Sequence, residues 1–435
     1  MTKNPKIVEK KYLVPFILIT SLFALWGFAN DITNPMVAAF KTVMELTHTK
    51  ATLIQFAFYG GYATMAIPAA LFAQKYSYKK GILLGLGLYA TGALLFYPAA
   101  EYQMFGFFVG SLYILTFGLA FLETTANPFI LSIGSASTAT RRLNLAQSFN
   151  PMGSFIGMIV AAKVVLANLE ADKHGVEFTT LDEMTKAADR LHDLAVIRDP
   201  YVVLGIVVLI MLVIIAVAKM PDTAHQKELH PWQSIKRLLK NKVYRNGVIA
   251  QVAYVAAQIM CWTFIIQYAE NLGLSKESGQ YHNMWAMGLF IASRLASTLI
   301  LKYVNASKLL MWFALGGIVT TAGAIFIVGF PGLYFLVATS IFMSLMFPTI
   351  YGIALGNVGK DTSMGSAGLI MAIVGGAIMP VLQAMIIDLE SVGYLPAVNA
   401  SFILPLLCFV VIANYGRLSF KLNLRQSPIV FEKKF

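Results

Sequence analysis

The sequence predicts an all-α integral membrane protein whose twelve transmembrane helices form two six-helix bundles. The 435-residue chain is 58% hydrophobic and only 12% charged, whereas a soluble domain carries about twice that charged fraction. Its mean hydropathy is +0.69. Apolar stretches of about 20 residues, the length that crosses a bilayer, recur along the whole chain. Most of the chain is therefore expected to lie in the membrane.

The apolar stretches fall into two sets of six. Helices 1 to 6 are predicted at residues 13–38, 52–74, 81–100, 104–132, 145–168 and 200–219. Helices 7 to 12 are predicted at residues 243–269, 283–304, 308–330, 332–358, 364–387 and 393–415. We therefore expect a first bundle at 1–219, a cytoplasmic linker at 220–242, and a second bundle with a short tail at 243–435.

The distribution of positive charge supports this topology. Lys and Arg concentrate in alternate loops and in both terminal segments, which by the positive-inside rule predicts that both termini are cytoplasmic. The loop at 169–199 has mixed charge and is expected to be a solvated surface hairpin. The net charge of +12 is spread between apolar runs rather than gathered on one face, so nucleic acid is not an expected partner.

Three of the charged residues inside the predicted helices are candidate functional residues. Glu123 lies near the middle of helix 4, with no other charge between Glu101 and Arg141. Its insertion costs about 2.5–3.5 kcal/mol, so it is a candidate functional residue. Asp31 in helix 1 either faces the same polar region or lies near water at the outer helix end. Arg294 in helix 8 could pair with an acid, donate to a ligand, or reach toward the interface.

Amide and aromatic side chains accompany these charges. Asn144, Gln147 and Asn150 recur every three residues and so share approximately one helix face. Amides both donate and accept hydrogen bonds, which suits a ligand rich in hydroxyl groups; the alternative is hydrogen bonding and packing between helices. The candidate substrate-binding residues in this class are Gln55, Tyr59, Gln147, Asn150, Tyr254, Gln258, Trp262 and, with its charge, Arg294.

Interruptions of the helices occur in corresponding places of the two halves. Asn127-Pro128 in helix 4 corresponds to Phe347-Pro348 in helix 10. Paired interruptions of this kind indicate a binding site near the membrane midplane in transporters built from repeats. For a single proline, ordinary kinking of a membrane helix is an adequate alternative explanation.

No pattern of an enzyme is found in the sequence. It lacks a phosphate-binding glycine loop, a His-Glu-x-x-His motif, and a nucleophile spaced with a matched base. Cys261 and Cys408 lie in apolar stretches, where a thiol behaves as a small hydrophobic group. We therefore expect no catalytic site, no metal site and no cofactor.

Four segments resemble the L-fucose permease branch of the major facilitator superfamily: residues 51–59, 122–129, 142–150 and 342–350. The resemblance implies the major facilitator fold in a bacterial cytoplasmic (inner) membrane protein. The sequence leaves the oligomeric state open, and a monomer is the expectation. It implies symport of L-fucose with a proton by alternating access. It also implies that Glu123 carries the coupling proton and that Gln147 and Asn150 bind sugar.

Helix 1 departs from the pattern of this branch. Asn34 stands where the branch has a membrane aspartate, and a carboxylate occurs three residues earlier as Asp31. Three residues correspond to about 4.5 Å of helical rise, so we expect Asp31 to assist proton coupling and Asn34 to contact substrate. A sodium- or proton-coupled glucose/galactose or other hexose symporter of the same branch is the alternative. A non-transporting membrane sugar sensor is a remoter one.

Overall fold

The computed structural model describes residues 6–46, 48–171, 178–221, 230–356, 358–389 and 391–426. They form two compact units. The first comprises the described residues up to Ser234 together with Lys360–Ala377, and the second comprises Ile235–Gly359 and the residues from Ile378 onward. The bundle boundaries predicted above remain a prediction.

The predicted helices are present in both halves of the chain, several of them in two consecutive pieces. Helices 1 to 6 are Leu13–Val43, His48–Lys75, Tyr78–Leu94 with Phe96–Glu101, Phe105–Ser132, Ala139–Gln147 with Phe149–Val160, and Glu183–Val217. Helix 5 continues through a π-helical turn at Ala161–Val165 and a 3-10 turn at Leu166–Asn168. A linker helix, Pro231–Lys240, follows helix 6 in the chain.

Helices 7 to 12 complete the chain. They are Lys242–Thr263 with Ile265–Asn271, Lys276–Ile300, Ala306–Phe326, Phe330–Met343 with Met346–Leu355, Thr362–Met371 with Gly375–Ile387, and Ala397–Ser401 with Ile403–Gln426. Between helices 11 and 12, β1 (Ser391–Val392) pairs antiparallel with β2 (Leu395–Pro396).

Ten helical segments of the described chain are long and apolar enough to cross a membrane. The two others among the predicted twelve are His48–Lys75, with 28 residues, and Lys276–Ile300, with 25 residues. Both exceed the roughly 20 residues that a span requires. The observed helices also run past their apolar cores at several ends, because backbone hydrogen bonding continues into polar sequence.

Helix 6 shows this extension most clearly, because it begins at Glu183. The surface hairpin expected at 169–199 is therefore wrong for the residues from Glu183 onward, which are helical. Lys186 and Arg190 bind the two oxygens of Glu45, at 3.1 and 2.7 Å, and Arg190 also donates to the Val43 carbonyl at 2.9 Å. These bonds tie the end of helix 1 to the polar extension of helix 6, which is why this charged sequence folds as a helix.

Two prolines each leave a backbone carbonyl without its helical N–H partner, and a side chain from another helix donates to that carbonyl instead. A proline has no N–H, so the carbonyl four residues earlier loses its helical partner. Pro128 frees the Thr124 carbonyl, which accepts from the Ser366 hydroxyl at 2.9 Å. Pro348 frees the Ser344 carbonyl, which accepts from Arg294 Nε. The paired prolines of helices 4 and 10 therefore each create a backbone acceptor inside their own unit.

Glycines bring helices 1 and 5 into backbone contact. A Cβ atom at Gly27 would overlap the Asn150 carbonyl, and one at Gly153 would overlap the Ala24 carbonyl. A Cβ at Gly157 would lie 2.7 Å from the Phe28 carbonyl oxygen. Small residues permit such close approach of membrane helices. This contact fixes the register of the helices that carry Asp31 and Gln147.

Arg142 caps the C-terminal end of helix 4. The side chain is fully buried and donates through Nε to Ile130 O at 2.7 Å and through Nη2 to Leu131 O at 2.8 Å. Its Nη1 donates to Thr138 Oγ1 at 3.1 Å and, at longer distance, to the carbonyls of Ser135 and Ile7. Carbonyls at a helix C-terminus have no partner within the helix, and this guanidinium supplies one.

Candidate functional site

Glu123 lies in the most deeply buried part of helix 4. Every residue from Leu119 to Ile130 is buried, and Glu123 keeps 9% of its surface exposed. Its carboxyl group interacts with the Tyr62 hydroxyl of helix 2 and the Trp26 indole of helix 1. Neither of these donors forms a direct hydrogen bond of 3.5 Å or less within the described part of the chain. Glu123 therefore has two nearby donors that could bind it when it is ionised.

A chain of amides connects Glu123 to helix 5. Asn127 Nδ2 donates to the main-chain carbonyl oxygen of Glu123 at 3.0 Å. Gln147 Nε2 in turn donates to Asn127 Oδ1 at 2.8 Å. Asn150 Nδ2 donates to the Phe23 carbonyl of helix 1 at 3.2 Å. The two sugar-site amides predicted in helix 5 are therefore held by helices 4 and 1, respectively.

Asp31 has different neighbours from Glu123. Its carboxyl group interacts with the Ser154 hydroxyl of helix 5 and with the Tyr59 hydroxyl of helix 2. Ser154 Oγ also lies 3.3 Å from the Gly27 carbonyl oxygen, to which it donates. Asp31 is half-buried and lies among side chains of helices 2 and 5, and its predicted role in proton coupling remains a prediction.

The predicted residues of the second unit gather around Arg294. The guanidinium lies 4.6 Å from the centre of the Phe290 ring and also interacts with the Tyr254 hydroxyl. The Phe290 ring packs edge-on against Trp262, with centroids 5.0 Å apart. Trp262 Nε1 donates to Ser340 Oγ at 3.1 Å. Tyr254, Trp262 and Arg294 thus belong to one cluster of aromatic and polar groups.

Three predicted residues are not brought into either cluster by these contacts. Gln258 is half-buried on helix 7. The side chains of Asn34 and Gln55 lie outside the described residues, and their predicted roles remain predictions.

Sequence reasoning did not select Tyr62 and Trp26 as partners of Glu123. Both are buried aromatics in helices rich in aromatics, so composition does not separate them from packing residues. The useful signal would have been that each carries a polar donor inside an apolar helix, since a buried Tyr or Trp usually needs a hydrogen-bond partner. The acceptor for Arg294 was missed because it is a backbone carbonyl.

Residues 17–382 match the family model described as Major Facilitator Superfamily. The chain belongs to the major facilitator superfamily. It is 61% identical over 425 residues to the L-fucose-proton symporter of Haemophilus influenzae, covering 96% of this chain and 99% of that protein. It is 34% identical over 419 residues to the L-fucose-proton symporter of Escherichia coli, with 94% of each chain covered.

A solved structure agrees with these relatives. The crystal structure of the superfamily transporter FucP in an outward conformation superposes with a TM-score of 0.87 at 32% identity, covering 94% of this chain and 99% of that chain. The predicted fold class and the family resemblance are confirmed. The chain is a multi-pass membrane transporter of the major facilitator superfamily and not an enzyme.

Proposed function

We propose that this chain is a secondary active transporter that carries L-fucose together with a proton by alternating access. The observation that carries the proposal is the buried Glu123 carboxyl, which lies near the Tyr62 and Trp26 donors. One helical turn further along helix 4, Asn127 donates to the main-chain carbonyl of Glu123 and accepts from the amide of Gln147, so the proposed hydroxyl-binding amide is held one turn from the proposed proton acceptor. The names of the relatives, at 61% and 34% identity, support the same substrate and the same ion.

The chemistry of a buried carboxyl explains how coupling would arise. Moving an ionised carboxylate into a dry environment costs far more than moving the neutral acid. We propose that Glu123 takes up a proton before the loaded site closes, and releases it with the sugar on the other side of the membrane. A sugar-loaded site in which Glu123 is still ionised then resists closing, so sugar does not cross without a proton. The sugar would be held by Gln147 and Asn150, with Tyr59, Tyr254, Gln258, Trp262, Arg294, Asn34 and Gln55 as further predicted contacts.

The sodium-coupled alternative rests on the oxygens of helix 4, which are of the kind that a hard cation accepts as ligands. Thr125 Oγ1 donates to the Phe121 carbonyl at 2.6 Å, and Asn127 Oδ1 accepts from Gln147. The Thr124 hydroxyl forms no hydrogen bond within the described part of the chain, and an oxygen that makes one hydrogen bond keeps a lone pair for a cation. The choice of a proton as the coupling ion therefore rests on the names of the relatives rather than on helix 4.

Purified protein in liposomes tests the proposal. We expect radiolabelled L-fucose to accumulate when the interior is made alkaline relative to the outside, and the accumulation to disappear when a protonophore collapses the gradient. With one proton per sugar, one pH unit supports about tenfold accumulation. Unlabelled D-glucose and D-galactose serve as competitors. Accumulation driven by a sodium gradient alone, or equal competition by glucose, would contradict the proposal.

Asp31 is proposed as a secondary proton-coupling residue. Asp31→Asn keeps the size of the side chain and its contact with Ser154 but cannot exchange a proton, so we expect severalfold lower accumulation with sugar exchange retained. The measurement is uptake under a fixed pH gradient, beside counterflow with no gradient. Unchanged uptake by Asp31→Asn would remove this residue from the coupling mechanism and leave Glu123 as its carrier.

We further propose that the protein lies in the bacterial inner membrane as a monomer with both termini in the cytoplasm. The alternation of Lys and Arg between loops supports this orientation.

A further inference from the structure

The linker helix, Pro231–Lys240, exposes large apolar side chains. Trp232 is 66% exposed and Leu239 is 56% exposed. They are seven residues apart, which is two helical turns, so they lie along the same edge of the helix. Ser234 and Leu238 occupy another face and are buried. The exposed Trp232 and Leu239 are thus a continuous stripe rather than isolated residues.

Basic side chains lie beside this stripe. Lys236 and Lys240 are exposed and follow Trp232 at four-residue intervals, and Arg237 is exposed next to them. Lys242 and Arg245 follow in the first turns of helix 7. The segment from His230 to Arg245 contains these five basic residues and no acidic one. Its surface is therefore both apolar and strongly positive.

The position of the linker helix relative to the bilayer follows from chain connectivity. The helix ends at Lys240, and helix 7 begins at Lys242. Asn241 alone joins them, and its side-chain oxygen accepts from the backbone N–H groups of Val243 at 3.0 Å and Tyr244 at 3.2 Å. Since helix 7 is long and apolar enough to cross the membrane, the C-terminal end of the linker helix lies at the membrane surface.

We propose that the linker helix is a docking surface for the headgroups of anionic phospholipids. Trp side chains favour the boundary between headgroups and acyl chains. A helix with Trp and Leu on one edge and Lys and Arg on the next lies flat in that boundary. Four to eight basic residues directly beside a membrane span attract anionic headgroups, and five are present here. Charge complementarity selects anionic over zwitterionic lipid as the occupant.

The test uses the full-length protein in vesicles of phosphatidylcholine that contain a small fraction of brominated lipid. Bromine quenches tryptophan at short range, and the contribution of Trp232 among the five tryptophans is obtained by subtracting the signal of Trp232→Phe. We expect brominated phosphatidylglycerol to quench Trp232 as if enriched roughly tenfold or more over brominated phosphatidylcholine, since each base near the surface favours anionic lipid.

Two variants with equal loss of charge separate the proposed surface from a general charge effect. Lys236→Gln, Arg237→Gln and Lys240→Gln together should reduce the preference for phosphatidylglycerol severalfold, leaving only the contribution of Lys242 and Arg245, while quenching by both lipids persists. Lys302→Gln, Lys308→Gln and Lys360→Gln, at exposed bases outside the linker, should keep it. Equal quenching of the unmodified protein by both lipids would overturn the proposal, as would equal loss of preference in both triple variants. The readout involves no sugar, so it succeeds or fails independently of the proposed transport.

Discussion

Glu123→Gln is expected to abolish the accumulation of L-fucose under a pH gradient while exchange of sugar across the membrane continues. Glutamine has nearly the shape of the protonated acid, and its amide oxygen is an acceptor for the nearby Tyr62 and Trp26 donors. It remains neutral throughout the cycle, so the loaded site can close without taking up a proton. The roughly tenfold accumulation supported by one pH unit should fall until the inside and outside concentrations are equal.

The measurement pairs gradient-driven uptake with counterflow in the same liposomes. Glu101→Gln is the matched control, because this glutamate is 53% exposed and pairs with Arg198 at 3.1 Å, where a surface ion pair contributes little. It should transport normally. If Glu123→Gln still accumulates sugar against its gradient, the coupling proton is carried elsewhere in the protein.

Arg142→Lys is expected to cause the largest loss of stability. Lysine keeps the charge but cannot reproduce the planar set of donors that reaches the carbonyls of Ile130, Leu131 and Ser135 together. Each hydrogen bond lost by a charged group costs about 1.5–3 kcal/mol, and the freed carbonyls are left at a buried helix end. We expect the apparent Tm of the detergent-purified protein to fall by about 5 °C or more.

The neighbouring Arg141 provides the control for this prediction. It is half-buried rather than fully buried, so Arg141→Lys should change the Tm much less. A variant Arg142→Lys with an unchanged Tm would show that water replaces the guanidinium at the end of helix 4, and that the observed hydrogen bonds contribute little to folding.

The fold was predictable because the membrane imposes a simple rule on the sequence. Twelve apolar stretches of sufficient length had to become helices, since no other open structure satisfies the backbone in lipid. The ends of the helices were less predictable. The outer part of helix 6 is charged and was expected to be a surface hairpin, but its ion pairs with Glu45 depend on the position of helix 1, which is distant in sequence.

Residues of the candidate site could be proposed from the sequence, but the contacts between them could not. Glu123 could be recognised because an intramembrane charge is costly, and Gln147 because it shares a helix face with Asn150. The partners could not be predicted. Tyr62 and Trp26 meet Glu123 only because helices 1 and 2 pack beside helix 4 in one particular register, and Arg294 binds a carbonyl that Pro348 releases. Periodicity indicates which face is turned inward but not which residues meet there.

The glycines of helices 1 and 5 determine what can move during transport. Backbone atoms touch at Gly27 and Gly153, so no flexible side chains lie between the helices to absorb a displacement. Helices 1 and 5 should therefore move as one rigid body. A tilt of the segment that carries Trp26 and Asp31 then carries Gln147 with it, so the proposed proton-coupling groups and the proposed sugar-binding amides would change position together.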